Sequence, residues 1–110
     1  MTDKELLEYA AKAEGRTLKY ITQIYSDREE TFIACWNPLA DDGDALRLAV
    51  KLDIDVFYQS DEEGRFTSAE GGAFAYEHHG ADPYAATRRA IVRAAAEIGR
   101  AASPSQQEPK

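Results

Sequence analysis

The chain has 110 residues, enough for one hydrophobic core and too few for two. Hydrophobic residues make up 44% and charged residues 30%, the balance of a globular protein rather than a disordered or fibrous one. A net charge of −7 sets long-range electrostatics against nucleic acid and anionic membranes, no apolar run approaches the roughly 20 residues of a bilayer span, and a single cysteine excludes an internal disulfide.

The first element expected is a helix from about Asp3 to Glu14. Thr2 or Asp3 caps it, Leu6, Leu7, Ala10 and Ala13 recur at helical spacing, and Gly15 stops it. The charged, amphipathic start carries no signal-peptide core, so the expected location is the cytoplasm. Two strands follow, Leu18 to Tyr25 and Thr31 to Trp36, joined by the polar turn Ser26-Asp27-Arg28-Glu29-Glu30. Pro38 lacks the N–H a ladder needs and holds Asn37 extended, so the second strand ends there.

A middle helix is expected from about Asp42 to Leu52. Ala45, Ala49 and Leu52 mark its inner face, widened by Leu46, Leu48 and Val50, while Arg47 and Lys51 mark the solvent side. Ile54 to Gln59 carries aromatics on both faces and reads as a central strand. Arg65 to Ser68 reads as a short strand, Gly71-Gly72 as a break, and Ala73 to His79 as the last strand, with Phe74 and Tyr76 on one side. Asp82 caps the closing helix, Pro83 takes its first position, and Tyr84 to Ala102 is rich in alanine and arginine. Its buried stripe is expected at Tyr84, Ile91, Ala94, Ala95 and Ile98, opposite Arg89, Arg93, Glu97 and Arg100, with Gly99 fraying the end. Residues 103–110 are polar, with two prolines and no apolar anchor, and read as a disordered tail. The expectation is a single α+β domain over residues 1–102 in the order α-β-β-α-β-β-α, a mostly antiparallel sheet with helices packed on one face.

Candidate site residues crowd between Trp36 and Leu52. Asp41, Asp42 and Asp44 at a helix start are of a type that binds hard cations, but their spacing is not that of a calcium loop, and capping of the helix explains them. No metal and no cofactor is therefore expected. Gly43 suits either a close turn or a close approach to a ligand. Trp36, beside Asn37, is either a core indole or a stacking platform for an aromatic ligand. Arg88 falls inside the apolar arc of the last helix, where a guanidinium needs a partner: a sheet carboxylate such as Asp55 or Glu77, or an anion in a pocket. Arg89, Arg93 and Arg100 form a basic stripe, either a solvated face or the footprint of an acidic partner. His78 and His79 are adjacent, so on a strand they point to opposite faces; as a general base either one would need a carboxylate beside it in a cleft. Cys35 reads as a buried, inert thiol. No catalytic constellation is legible.

The segments Trp36-Asn37-Pro38, Asp41-Asp42-Gly43-Asp44-Ala45 and Asp82-Pro83-Tyr84-Ala85-Ala86, the last opening an alanine-rich helix, resemble small proteins of tailed phages and prophages similar to the NinX-like group, a family of unknown function. The resemblance runs over roughly residues 3 to 100. It departs at Arg88 and Arg89, where the family pattern is apolar. It implies a phage setting and one small domain, and supplies no catalytic residues.

Three functions remain open at this level. The leading one is a non-enzymatic phage or prophage accessory protein binding a host or phage macromolecule, most simply a protein. The second is a small-molecule binder, for example one that sequesters a nucleotide signal of host defence, with Arg88 for the anion, Trp36 for stacking and the Asp42-Gly43-Asp44 helix start for the ribose; Asn37 and Arg89 complete the candidate ligand-binding set. The third is a small enzyme using His78 or His79. No nucleic acid or membrane partner is expected, and aromatics on both strand faces leave a homodimer open.

Overall fold

The computed structural model describes residues 1–102; the tail expected at 103–110 lies outside the described residues. Helix α1 spans Asp3–Glu14. The Thr2 hydroxyl accepts from the Glu5 N–H at 3.1 Å and the Glu5 carboxylate accepts from the Thr2 N–H at 2.9 Å, so two free N–H groups of the first turn are satisfied reciprocally. Gly15 ends the helix at φ +78°, a conformation cheap only for glycine, and Arg16 N–H bonds back to the Ala11 carbonyl. The buried face is Leu6, Leu7, Ala10 and Ala11; Ala11 takes the place expected for Ala13.

Strands β1 (Lys19–Ile24) and β2 (Glu29–Ala34) pair antiparallel, with Thr22 opposite Thr31. The turn is shorter than expected, and β2 ends at Ala34 rather than Trp36 because Cys35 adopts φ +63° and turns the chain out of the ladder. That turn also exposes Cys35, against the expected buried thiol. Helix α2 spans Asp42–Lys51 and buries Ala45, Leu48 and Ala49. Leu46 and Val50, expected on its inner face, are exposed: four residues apart, they share a stripe beside the buried face that no other element covers. Asp53 leaves α2 at φ +56°, with Ile54 N–H reaching back to the Ala49 carbonyl.

Strands β3 (Asp55–Asp61), β4 (Gly64–Glu70) and β5 (Phe74–His78) form a second antiparallel sheet in the order β3-β4-β5. The strand expected at Ile54 to Gln59 lies at an edge, and the one expected to be short, at Arg65 to Ser68, is the seven-residue central strand. Two hairpins in succession make a meander, so the middle strand in sequence is the middle strand in space.

Helix α3 spans Pro83–Ala102. The Asp82 carboxylate accepts from the N–H groups of Tyr84 and Ala85. α3 lies between the other layers: it covers one face of the β3-β4-β5 sheet, and α1 and α2 pack against it. It therefore buries more than a stripe, at Ala90, Ile91, Val92, Ala94, Ala95, Ala96 and Gly99. Tyr84, expected at the start of the buried stripe, is 70% exposed. Gly99 does not fray. It sits where α1 crosses, and a Cβ there would overlap the Tyr9 carbonyl oxygen. The result is an α+β domain in the order α-β-β-α-β-β-β-α, with two antiparallel sheets and one strand more than the order read from the sequence. Among the described residues no helix is long and apolar enough to cross a membrane.

Candidate functional site

The segment that attracted notice in the sequence is bound up in its own backbone. Asn37 accepts at its carbonyl from the N–H groups of Ala40 and Asp41, and at its side chain from Leu39 N–H. Asp41 caps α2 by accepting from Asp44 N–H at 2.8 Å. Asp44 accepts from Asn37 N–H at 2.9 Å and from Arg47 at 2.8 Å. Burial alone would raise the Asp44 carboxyl, but the Asn37 N–H and the Arg47 guanidinium outweigh it and hold it below its usual range. Gly43 sits tightly over this network, since a Cβ would lie 3.2 Å from both Arg47 and Asp41. Trp36 is a core residue, 5% exposed, with the Arg16 guanidinium 5.1 Å from its ring centroid. So placed, the indole offers no open face for a base to stack on.

Arg88 finds neither Asp55 nor Glu77. It donates from Nε to the Leu39 carbonyl at 2.8 Å and pairs with Asp42 at 2.7 Å, tying α3 to the start of α2. Glu77 is held by Arg93 at 2.6 Å, and Arg93 also donates to the Tyr76 carbonyl. Arg89 pairs with Asp3 at 3.0 Å, and Arg100 with Glu97 at 2.8 Å. The basic stripe is thus a set of partnered arginines, two of which bind α3 to α1 and to β5. Composition could not reveal the pairs of Arg89 and Arg93, whose carboxylates come from distant elements; Glu97 lies one turn from Arg100 on the same helix.

A cleft of about 450 Å³ opens between α2, the first turns of α3 and the inner side of β3. Leu46, Val56, Tyr58 and Tyr84 wall it, and Ile91 lies against its floor. Its polar groups are Thr87, His79 and the Arg88–Asp42 pair. Behind them Thr67, fully buried, bonds His79 Nε2 at 2.7 Å and the Thr87 hydroxyl at 2.8 Å. Of the sequence-selected residues the cleft gathers Asp42 and Arg88; Asn37, Gly43, Asp44 and Arg89 lie outside its lining. Tyr58, Thr67, Tyr84 and Thr87 were missed because none breaks a local pattern.

The two histidines do point apart. His78 lies on the outer side of the sheet, with Nε2 2.9 Å from Asp61, and this hydrogen bond holds the Asp61 carboxyl below its usual range. His79 reaches the cleft but meets Thr67 there. The carboxylate and the cleft that a histidine base requires are therefore divided between two residues. Among the described residues no group of three or more His, Cys, Asp or Glu side chains is placed to hold a metal.

Among the described residues, apolar surface is uncovered in two places besides α2 and the cleft mouth. On the outer face of β3-β4-β5, Phe57, Phe74 and Tyr76 are each about half exposed, with Phe66 and His78 in ring contact beside Tyr76. On the β1–β2 arm, Tyr20, Ile21, Ile24, Tyr25 and Phe32 are exposed. No family model matches the chain, and no curated protein or solved structure matches it.

Proposed function

We propose that the protein is a non-enzymatic binding module for a host or phage protein, acting in a phage or prophage setting in the bacterial cytoplasm. The setting rests on the resemblance carried by Trp36 to Ala45 and Asp82 to Ala86. The binding reading rests on one observation above all, the uncovered aromatic face of Phe57, Phe74 and Tyr76. Aromatic side chains gathered on one exposed sheet face are the usual anchors of a protein interface, and leaving them in water has a cost that a partner would remove. The test is retention of a partner from host lysate by the wild-type protein and by the double variant Phe74→Ser, Tyr76→Ser. Both side chains are exposed, so the variant keeps its core. A partner held by the wild type and lost by the variant supports the reading; no partner, or one held equally by both, overturns it.

A second reading, small-molecule binding, is favoured by the cleft beside α3. Its walls are apolar and its one guanidinium is already paired with Asp42, so the suitable ligand is an apolar body with a hydrogen-bonding group for Thr87 or His79, not a nucleotide. Native mass measurement after gentle purification decides it: a retained mass above the 12.2 kDa chain supports a ligand, and the bare chain mass counts against one.

A further inference from the structure

The β1–β2 arm meets the rest of its own chain at its base, where the Tyr20 hydroxyl donates to Glu8 and Leu18 and Ile33 pack on the core. Every residue of β1 is exposed. A two-stranded ribbon is marginal in water by itself; three or more strands are the usual minimum. The edge of β1 is guarded only at its base, by Lys19. Natural sheets protect edges with charge, proline or bulges. β2 carries Glu29 and Glu30, β3 carries Asp55 and Asp61, and β5 carries Glu77 and His78. Beyond Lys19, the rest of β1 and the residue after it, Tyr20-Ile21-Thr22-Gln23-Ile24-Tyr25, have no charge, no proline and no glycine.

Backbone alternation says which groups this edge presents. The turn bond from Tyr25 N–H to the Arg28 carbonyl closes that pair. Bonded and non-bonded pairs alternate along an antiparallel ladder, so Gln23, Ile21 and Lys19 bond β2. Tyr20, Thr22 and Ile24 then turn their N–H and C=O groups to the open side. The 3.2 Å contact between the Thr22 and Thr31 hydroxyls fits the closer, non-bonded kind of pair.

Charge selects the occupant. In a chain of net charge −7, the stretch Gly15 to Ser26 holds Arg16 and Lys19 and no acid. Along this open strand edge two copies can approach without setting acid against acid. We propose that two copies of this chain pair β1 edge to β1 edge, antiparallel, about a two-fold axis at Thr22, forming a four-stranded sheet in the order β2-β1-β1-β2.

In this register Tyr20 faces the partner's Ile24, and Thr22 faces the partner's Thr22. The two Lys19 residues lie at opposite ends, roughly 20 Å apart, beyond the screening length at physiological salt. A six-residue edge pairing is expected to bury less than the about 800 Å² per partner of a standard interface, so a weak, concentration-dependent dimer is expected. The inference goes beyond the partner-binding reading and uses a different surface, so either can fail without the other.

Sedimentation of the purified full chain across the micromolar range tests it, with a mass rising from 12.2 kDa to twice that value expected. Thr22→Lys and Thr22→Glu each place like charges face to face at the axis. Each alone is expected to weaken the dimer more than tenfold, with unchanged circular dichroism and melting temperature, and an equimolar mixture is expected to restore a heterodimer by native mass spectrometry. A wild type that stays monomeric overturns the proposal. So does a dimer that both variants leave intact, or a mixture that fails to recover it.

Discussion

Asp44 shows how little a residue's type says about its task. Set among other carboxylates at a helix start, it invites a cation or a ligand; in the fold it serves the Asn37 N–H and Arg47. Its carboxyl is held low in the folded state, so its contribution is complete above the ordinary carboxylate range near pH 4 and fades as pH falls through the lowered folded value. Asp44→Asn is therefore expected to cost about 1–2 kcal/mol at neutral pH, a loss of several degrees in melting temperature. The gap from wild type should close as both are melted at progressively lower pH. Arg88 makes the same point from the other side. Its awkward place on the helix correctly signals a partner, but that partner is Asp42, from an element the helix wheel cannot show.

At the scale of elements, the crossing of α1 over α3 depends on small residues. Ala10 and Ala11 of α1 meet a helix whose buried side carries Ala90, Ala94, Ala95, Ala96 and Gly99. Gly99 looks like a weak point in the sequence, because glycine lowers helix propensity by about 1 kcal/mol relative to alanine. In the fold it admits the Tyr9 carbonyl. Gly99→Ala is therefore expected to destabilise by about 2 kcal/mol or more despite its better propensity, since the overlap is with backbone that cannot swing aside. Chemical denaturation of the two proteins measures this; a more stable variant would show that the helices separate at no cost. The same scale explains the strand misplaced in the sequence reading. Aromatics on both faces of Asp55–Asp61 suggest a central strand, yet β3 is an edge strand whose Phe57 and Tyr58 remain exposed.

For the whole molecule, the described fold leaves apolar surface uncovered on the arm and on the outer sheet face, beside a net charge of −7. These features oppose each other in self-association. Raising salt screens the repulsion between two acidic copies and leaves apolar and backbone contacts in place. The dimer proposed through β1 is therefore expected to tighten between low and moderate salt. Sedimentation at fixed protein concentration reads this, and weakening by salt would point to an interface built on ion pairs instead.

Local information was enough for the helices. Thr2, Asp82, Pro83 and Gly15 cap or stop them through contacts within a few residues, so a sequence window contains the cause. The α+β class followed from the alternation of those helices with β-rich runs bounded by turn residues. Three things needed the folded chain: which carboxylate each arginine holds, which face of α2 and of the β3-β4-β5 sheet stays bare, and where the cleft opens. Arg88 to Asp42 spans 46 positions and Thr67 to Thr87 spans 20, beyond the reach of any local pattern. An apolar residue carries the same signal in sequence whether a partner element covers it or not. Leu48 and Leu46 are alike in composition and opposite in burial, and only the packing of α2 against α3 separates them.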